Sequence, residues 1–466
     1  MGQLISNFIN NTNNILWSYI IIALLIAAGL YFSFRTRFVQ LRYFKEMFKL
    51  LTEGTGSAKG TSHISSFQAF CISTASRVGT GNLAGVATAI TVGGPGAIFW
   101  MWVIALIGGA SSFVESTLAQ VYKVKDGENY RGGPAYYMER ALGQRWMGIL
   151  FSILITICFG LVFNSVQANT ISQAFQKAFG IKTYITGAVI AFITAIIIFG
   201  GVKRIAKTAE AIVPVMAIAY IMVALFIVLK NITLIPSVFK MIIEGAFGVK
   251  QAVGGGIGAA IMMGIKRGLF SNEAGMGSAP NAAATAHTSH PAKQGLIQTL
   301  SIFTDTLLIC SATAFIILTS GEFTNPEITG IQLTQNALIH HVGSWGSVFI
   351  AICIFLFAYS SVIGNYYYGE TNIEFIKPSK TYLNIYRLLV VAMVMWGSIA
   401  SLQIVWDLAD LFMGLMAILN IIAILLLGNV AFKVLKDYEK QREEGFDPKF
   451  KARNIEGLEN ADCWEE

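Results

Sequence analysis

The residues best suited to chemistry sit where a bilayer-crossing segment should be featureless: SRVGTGN at 76–82 and GLFSNEAGMGSA at 268–279. Backbone groups in hydrocarbon must be bonded, so irregular chain at membrane depth survives only where protein encloses it or where it lines a polar cavity. Gly79, Gly81, Gly275 and Gly277 allow the chain to open at such points. Freed carbonyls then suit a desolvated cation, and freed N–H groups at the positive end of a half-helix suit a carboxylate. Thr80, Asn82, Ser271 and Asn272 add neutral oxygens and amides of the kind a hard monovalent ion prefers. The combination points to a zwitterionic amino acid together with sodium. The plainer alternative is close-packing glycine with back-bonded Ser and Thr in ordinary helices. It loses force because the pattern occurs twice, each time beside a charge.

Other polar residues in apolar runs extend the set. Gln167 and Asn164, in FNSVQAN, offer amides, and Phe163 lies one turn before Gln167 as a pocket wall. Gln167 reads either as a substrate contact or as glue between helices. Arg77 needs a partner, since an unpaired guanidinium near the bilayer centre is costly. Glu273, Glu115 and Asp305 are the acids considered, and Glu273 is expected because the repeat sets the two breaks side by side. Lys266 and Arg267 are expected to snorkel toward the cytoplasm. His287 and His290 have H-x-x-H spacing without further ligands, and His340 and His341 are expected in a solvated outer loop. No G-x-S-x-G elbow, P-loop or HExxH helix appears, so an enzyme is not expected.

These residues need elements to position them, and the composition says which. The chain has 466 residues, 55% apolar and 13% charged, with 45 glycines. That describes an all-α polytopic membrane protein. Apolar runs at about 17–34, 67–92, 96–121, 147–172, 185–201, 209–229, 250–285, 295–319, 345–367, 383–400 and 405–432 predict eleven transmembrane helices. The net charge of +7 is carried by loops, which favours topology over nucleic acid. Arg35, Arg37, Arg42, Lys59, Lys123, Arg140, Lys207, Lys377 and the basic tail far outnumber Lys177, Lys182, Lys230, Lys240 and Lys250 in the alternate loops. The N-terminus is therefore expected outside the plasma membrane and the C-terminus in the cytoplasm. Residues 1–16 lack the basic start of a signal peptide, and the five cysteines show no metal or disulfide spacing.

The expected organisation is an extra N-terminal helix and basic loop at 1–66, five-helix repeats at 67–230 and 231–432, and a charged tail at 433–466, partly helical or disordered. RVGTGNLAGVATA at 77–89 can be written over RGLFSNEAGMGSA at 267–279, matching Arg77 with Arg267, Asn82 with Asn272 and Gly85 with Gly275. The two copies open halves of opposite orientation, as in an inverted-repeat transporter with broken first and sixth core helices. A channel is the competing class, but one chain with two antiparallel broken helices fits a gated carrier better.

GGPGAIFWMWV at 93–103 resembles the signature of the alanine or glycine:cation symporter family, and SRVGTGNLAGVATAI, FNSVQANTIS, GLFSNEAGMGSAPNAAA and FAYSSVIGNYYYGE resemble its other blocks. The resemblance spans about 15–432 and implies the leucine-transporter type of inverted-repeat fold. It also implies sodium-coupled import of alanine, glycine or glutamine, with a proton as the alternative ion and no enzyme cofactor. In that fold group N-x-V-G-L-G-N marks the unwound helix; Gly79, Gly81 and Asn82 match it, while Ser76 and Thr80 depart. The resemblance would give the substrate carboxylate to the N–H groups of Thr80 and Gly81. It would place one sodium at Asn82 with Ser271. A second sodium would lie among the Ala75 and Val78 carbonyls and the Ser360 and Ser361 hydroxyls, with Phe270 walling the substrate.

Overall fold

The computed structural model describes residues 2–54, 63–248, 256–325 and 327–465; Lys59, Lys250 and the opening of the expected run at 250–285 lie outside these. The chain is built almost wholly of helices. The ones that frame the site are α1 (Asn7–Arg35), an interrupted pair α2 (Ser66–Arg77) and α3 (Gly81–Gly93), α4 (Ala97–Val121), α5 (Arg145–Phe179), α6 (Thr183–Ile198) and α7 (Arg204–Lys230). A second interrupted pair follows, α8 (Ile257–Asn272) and α9 (Ala279–Ala283), then α10 (Pro291–Ser320), α11 (Trp345–Ile376), α12 (Lys380–Ile399) and α13 (Leu402–Glu443). Among the described residues eight of these, all but α6 and the interrupted pairs, are long and apolar enough to cross a membrane as single helices. The expectation of purely helical structure misses one small feature, a hairpin of Val124–Asp126 with Asn129–Arg131.

Local sequence sets the frame of the first pair. Ser65 and Gln68 form a capping box that starts α2, each side chain taking the other's backbone N–H at 3.1 Å. The His287 N–H bonds the Ile64 carbonyl at 2.9 Å, so α2 begins where α9 ends. At the far end a Cβ on Gly93 would touch Met263 and Ala259, so α3 finishes where α8 starts. The two interrupted helices thus run side by side in opposite directions. α11 closes against α2 through Gly364, where a Cβ would meet the Ser76 nitrogen at 3.0 Å and the Ile72 carbonyl at 3.2 Å.

The charged tail takes the first of its two expected forms, partly helical, and is packed. α13 continues to Glu443, and the chain beyond it packs on the face where α2 begins. The Phe450 N–H bonds the Ser289 carbonyl at 2.9 Å, Trp464 Nε1 bonds the Gln120 carbonyl at 2.8 Å, and Asp462 pairs with Arg140 at 2.8 Å. Buried Phe450, Ile455 and Trp464 anchor a segment whose average composition looks too polar to fold.

Candidate functional site

The first interruption opens because Val78 turns extended (φ −79°, ψ 90°), after which α3 restarts through a wide π turn at Gly81–Gly85. Neither Gly79 nor Gly81 has a positive φ. They are small because other groups come close. A Cβ on Gly79 would run into Ser361 Oγ and Gln167 Oε1, and one on Gly81 would lie 3.0 Å from the Phe270 ring and 3.1 Å from Ser271 Cα. Side chains hold the freed N–H groups: Gly79 donates to Asn82 Oδ1 at 2.8 Å, and Thr80 donates to Gln167 Oε1 at 3.0 Å through its N–H and 2.5 Å through its hydroxyl. Gln167 thus stands at the break itself, where the sequence allowed either a substrate contact or a link between helices.

The Ser360 hydroxyl lies 3.5 Å from the Ala75 carbonyl and the Ser361 hydroxyl 3.4 Å from the Val78 carbonyl, while both donate to Phe357 O at 2.8 and 3.0 Å. On the other side Ser271 donates to Asp305 Oδ2 at 2.8 Å. Phe163, Phe270 and Trp406 pack in a row with tilted rings, centroids 4.5 and 4.7 Å apart. The structure therefore brings Gly79, Thr80, Gly81, Phe163, Gln167, Phe270 and Ser271 into one buried cluster, with Ala75, Val78, Ser360 and Ser361 beside it.

Asn272 does something else. Its Oδ1 accepts the Ala274 N–H at 3.0 Å, so it serves the backbone of the second interruption. That interruption is a run of left-handed residues, Glu273 (φ 58°), Gly275 (φ 80°) and Gly277 (φ 83°). The Gly275 and Gly277 N–H groups both donate to the buried Glu115 carboxylate at 3.1 Å, and Asn420 Nδ2 bonds Glu115 at 2.8 Å and the Gly275 carbonyl at 2.9 Å.

Three expectations are corrected. Arg77 does not pair with Glu273: its Nη1 donates to the Gln298 carbonyl and Oε1, each at 3.3 Å, while Glu273 is engaged by the Ser76 and Ser278 hydroxyls at 2.7 and 2.6 Å. Short hydroxyls reach Glu273 directly, so the arginine is left to an amide partner. Lys266 and Arg267 do not snorkel, because both bond Asp410 Oδ2, at 2.6 and 2.7 Å, and the Arg267 guanidinium lies 4.4 Å over the Trp406 ring. His340 and His341 lie at the end of the helix Gly330–Val342; His340 is exposed as expected, but His341 is buried within 3.1 Å of Thr319 Oγ1 and the Ile316 carbonyl.

Sequence reasoning missed Trp406 and Asp410. The signal was present, since an acid inside an apolar run opposite adjacent Lys266 and Arg267 is itself a functional flag. Asp305 enters from the sequence only as a candidate partner for Arg77. It lies in a π turn, Phe303–Cys310, and its carboxylate accepts from Asn82 Nδ2 at 2.6 Å, Ser271 Oγ at 2.8 Å and Thr306 Oγ1 at 2.9 Å.

Comparison with known proteins gives consistent findings. The model of the "Sodium:alanine symporter family" matches residues 2–452. The chain is 60% identical over 466 residues, covering 100% of it and 99% of the relative, to the amino-acid carrier protein AlsT of Bacillus subtilis (strain 168). It is 57% identical to the probable sodium/glutamine symporter GlnT of the same organism, covering 100% of the chain and 97% of the relative. It is 38% identical to the sodium/alanine symporter AgcS of Methanococcus maripaludis, covering 94% and 98%. Among solved structures, a single-site mutant of the manganese transporter of Eremococcus coleocola superposes with a TM-score of 0.52 at 14% identity, over 82% of this chain and 81% of that one, a likeness of fold.

Proposed function

The chain belongs to the sodium:alanine symporter family, and from that premise we propose that it imports a small neutral amino acid, alanine, glycine or glutamine, by alternating access driven by sodium. It is a transporter and not an enzyme. In this reading all eleven apolar runs cross the plasma membrane, α6 and the interrupted helices included. α2–α7 and α8–α13 form two halves of opposite sense, the N-terminus is outside and the C-terminus is cytoplasmic. The relatives named for glutamine and alanine support the substrate class.

One observation carries the mechanism: the Thr80 N–H and hydroxyl converge on a single neutral oxygen, Gln167 Oε1. An amino acid's carboxylate is the better acceptor for that pair, because an ionised acceptor makes roughly twice as strong a bond. The substrate carboxylate takes the place of Gln167 Oε1 at the Thr80 and Gly81 backbone, and Gln167 turns to the substrate's polar groups. Phe163 and Phe270 wall the side chain. Their tight packing with Trp406 favours a small one.

Two sodium sites flank this position. Oxygens around a calcium-sized cation, which sodium matches, sit about 2.3–2.6 Å from it, so neighbours in the shell stand about 3.3–3.7 Å apart. The Ser360–Ala75 and Ser361–Val78 oxygen separations of 3.5 and 3.4 Å fall in that range, longer than ordinary hydroxyl hydrogen bonds. A sodium among these four oxygens joins α2 to α11 and favours the state in which they are packed together. The other sodium takes Asn82 and Ser271. Arg267, Lys266, Asp410 and Trp406 form a closure on the outer side of the pocket, tying α8 to α13. Differential sodium affinity between the two states supplies the coupling.

The test is uptake by purified protein in liposomes, with alanine, glycine and glutamine presented under sodium and proton gradients imposed separately. Saturable uptake that follows the sodium gradient and shows counterflow supports the reading. Uptake driven by the proton gradient alone replaces sodium with a proton, and uncoupled ion current makes the protein a channel.

A further inference from the structure

Resting on the symporter reading, we infer that Asp305 is the charged ligand of the sodium ion at Asn82 and Ser271, and that the Asn82 amide relays its binding to the amino-acid carboxylate. Asp305 is fully buried, and its three hydrogen-bond donors are the neutral groups of Asn82, Ser271 and Thr306. Among the described residues no ion pair within 4.0 Å compensates it: Arg77 bonds Gln298, while Arg267 and Lys266 bond Asp410. A buried carboxylate with no cation in direct contact is an expensive arrangement that a bound cation relieves. The donors surrounding it carry oxygens of their own, so each can turn from donating to the carboxylate to coordinating an ion beside it.

Glu115 and Glu273 are buried too, yet neither fits as well. Both Glu115 oxygens are held by backbone N–H groups, and its side-chain donor Asn420 has its own oxygen occupied by the Tyr137 hydroxyl, while Glu273 bonds serines outside the Asn82–Ser271 cluster. Asp305 is the acid that touches the first interruption through Asn82 and the start of the second through Ser271. Its π turn widens the helix there and puts the carboxylate and the Thr306 hydroxyl on the same side.

The relay follows from the two ends of the Asn82 side chain. Its NH2 donates to Asp305 at 2.6 Å and its Oδ1 accepts the Gly79 N–H at 2.8 Å. A sodium at Asp305 reverses the demand on the amide, which rotates to present Oδ1 to the ion. That rotation releases the Gly79 N–H next to the Thr80 N–H, adding a donor for the substrate carboxylate. Sodium thereby raises amino-acid affinity, and by linkage the amino acid raises sodium affinity by the same factor.

The experiment uses the full chain, measuring binding of radioactive sodium and of L-alanine and L-glutamine in detergent and sodium-dependent uptake in liposomes. For Asp305→Asn the sodium concentration giving half-maximal binding should rise about tenfold or more, as expected when a buried charge loses its partner, with Asp305→Glu recovering part of the loss. For Asn82→Ala the amino acid should still bind, but the factor by which saturating sodium tightens that binding should fall toward one. Ser271→Ala keeps the charge and removes one hydroxyl; it should weaken sodium moderately and decides the matter if Asp305→Asn does not give a monodisperse protein. Wild-type sodium affinity in Asp305→Asn, or in Ser271→Ala where that variant decides, overturns the inference. So does a defect confined to amino-acid affinity, which would make Asp305 the partner of the substrate ammonium. Full sodium enhancement in Asn82→Ala overturns the relay. A wild-type protein that neither binds sodium nor shows sodium-driven uptake sinks the symporter reading itself, a result distinct from any of these.

Discussion

The two helix interruptions look alike as sequence and are opposite as structures. At the first, backbone N–H groups are held by neutral amide oxygens, Gln167 Oε1 and Asn82 Oδ1, that a better acceptor displaces. At the second, they are held by the two oxygens of the buried Glu115 side chain, itself fixed by Asn420, whose Oδ1 takes the Tyr137 hydroxyl. On the proposed reading, the protein supplies its own acid to one break and reserves the other for the substrate's carboxylate. Their glycines differ in the same way. Gly79 and Gly81 are small to admit neighbours, whereas Gly275 and Gly277 are needed for a left-handed backbone.

Substitution can break this contrast from either side. The largest effect belongs to Gly79→Ala, whose methyl displaces Ser361 and Gln167 together; uptake in liposomes should fall about a hundredfold, as misplacing a site by an ångström does, while the protein still elutes as a folded species. Gln167→Ala should come next. Removing a hydrogen bond to a charged substrate is worth roughly 1.5–3 kcal/mol, so half-saturation by alanine should rise about tenfold or more in a transport assay, with thermal stability nearly unchanged.

At the second break the readout should change from binding to stability. Glu115→Gln replaces one of the two acceptor oxygens with an NH2 presented toward a backbone donor, at a cost of about 1–3 kcal/mol. A lower thermal midpoint in detergent, with unchanged half-saturation by the amino acid, is the expected result. Gly275→Ala should have the smallest effect, because a Cβ there finds nothing closer than 3.6 Å. The cost is the left-handed backbone alone, roughly 1–2 kcal/mol, again seen in thermal denaturation and not in uptake. A large loss of substrate affinity in Glu115→Gln would show that the second break also binds substrate and remove the distinction.

Much of this site was legible in the chain alone. Lipid forbids unbonded backbone, so glycine with Thr and Asn inside an apolar run already marked 76–82 and 271–279, and Gln167 stood out as an amide in a lipid-spanning stretch. Ser360 and Ser361 came from the family resemblance, and the structure sets them beside the Ala75 and Val78 carbonyls. Pairings between distant charges were not legible. Arg77 had three candidate acids and found Gln298, and Asp410 went unnoticed although it holds both Lys266 and Arg267.

By itself the sequence determined that the chain is a helical membrane protein, where most of its long apolar helices lie and where two interruptions fall, because hydropathy and glycine act over local stretches of chain. Which break is held by an acid and which by neutral amides was decided by tertiary structure. That outcome depends on Glu115, Gln167 and Asp305 arriving from other helices, and the reach of a side chain across a packed interface is not written in its spacing along the chain.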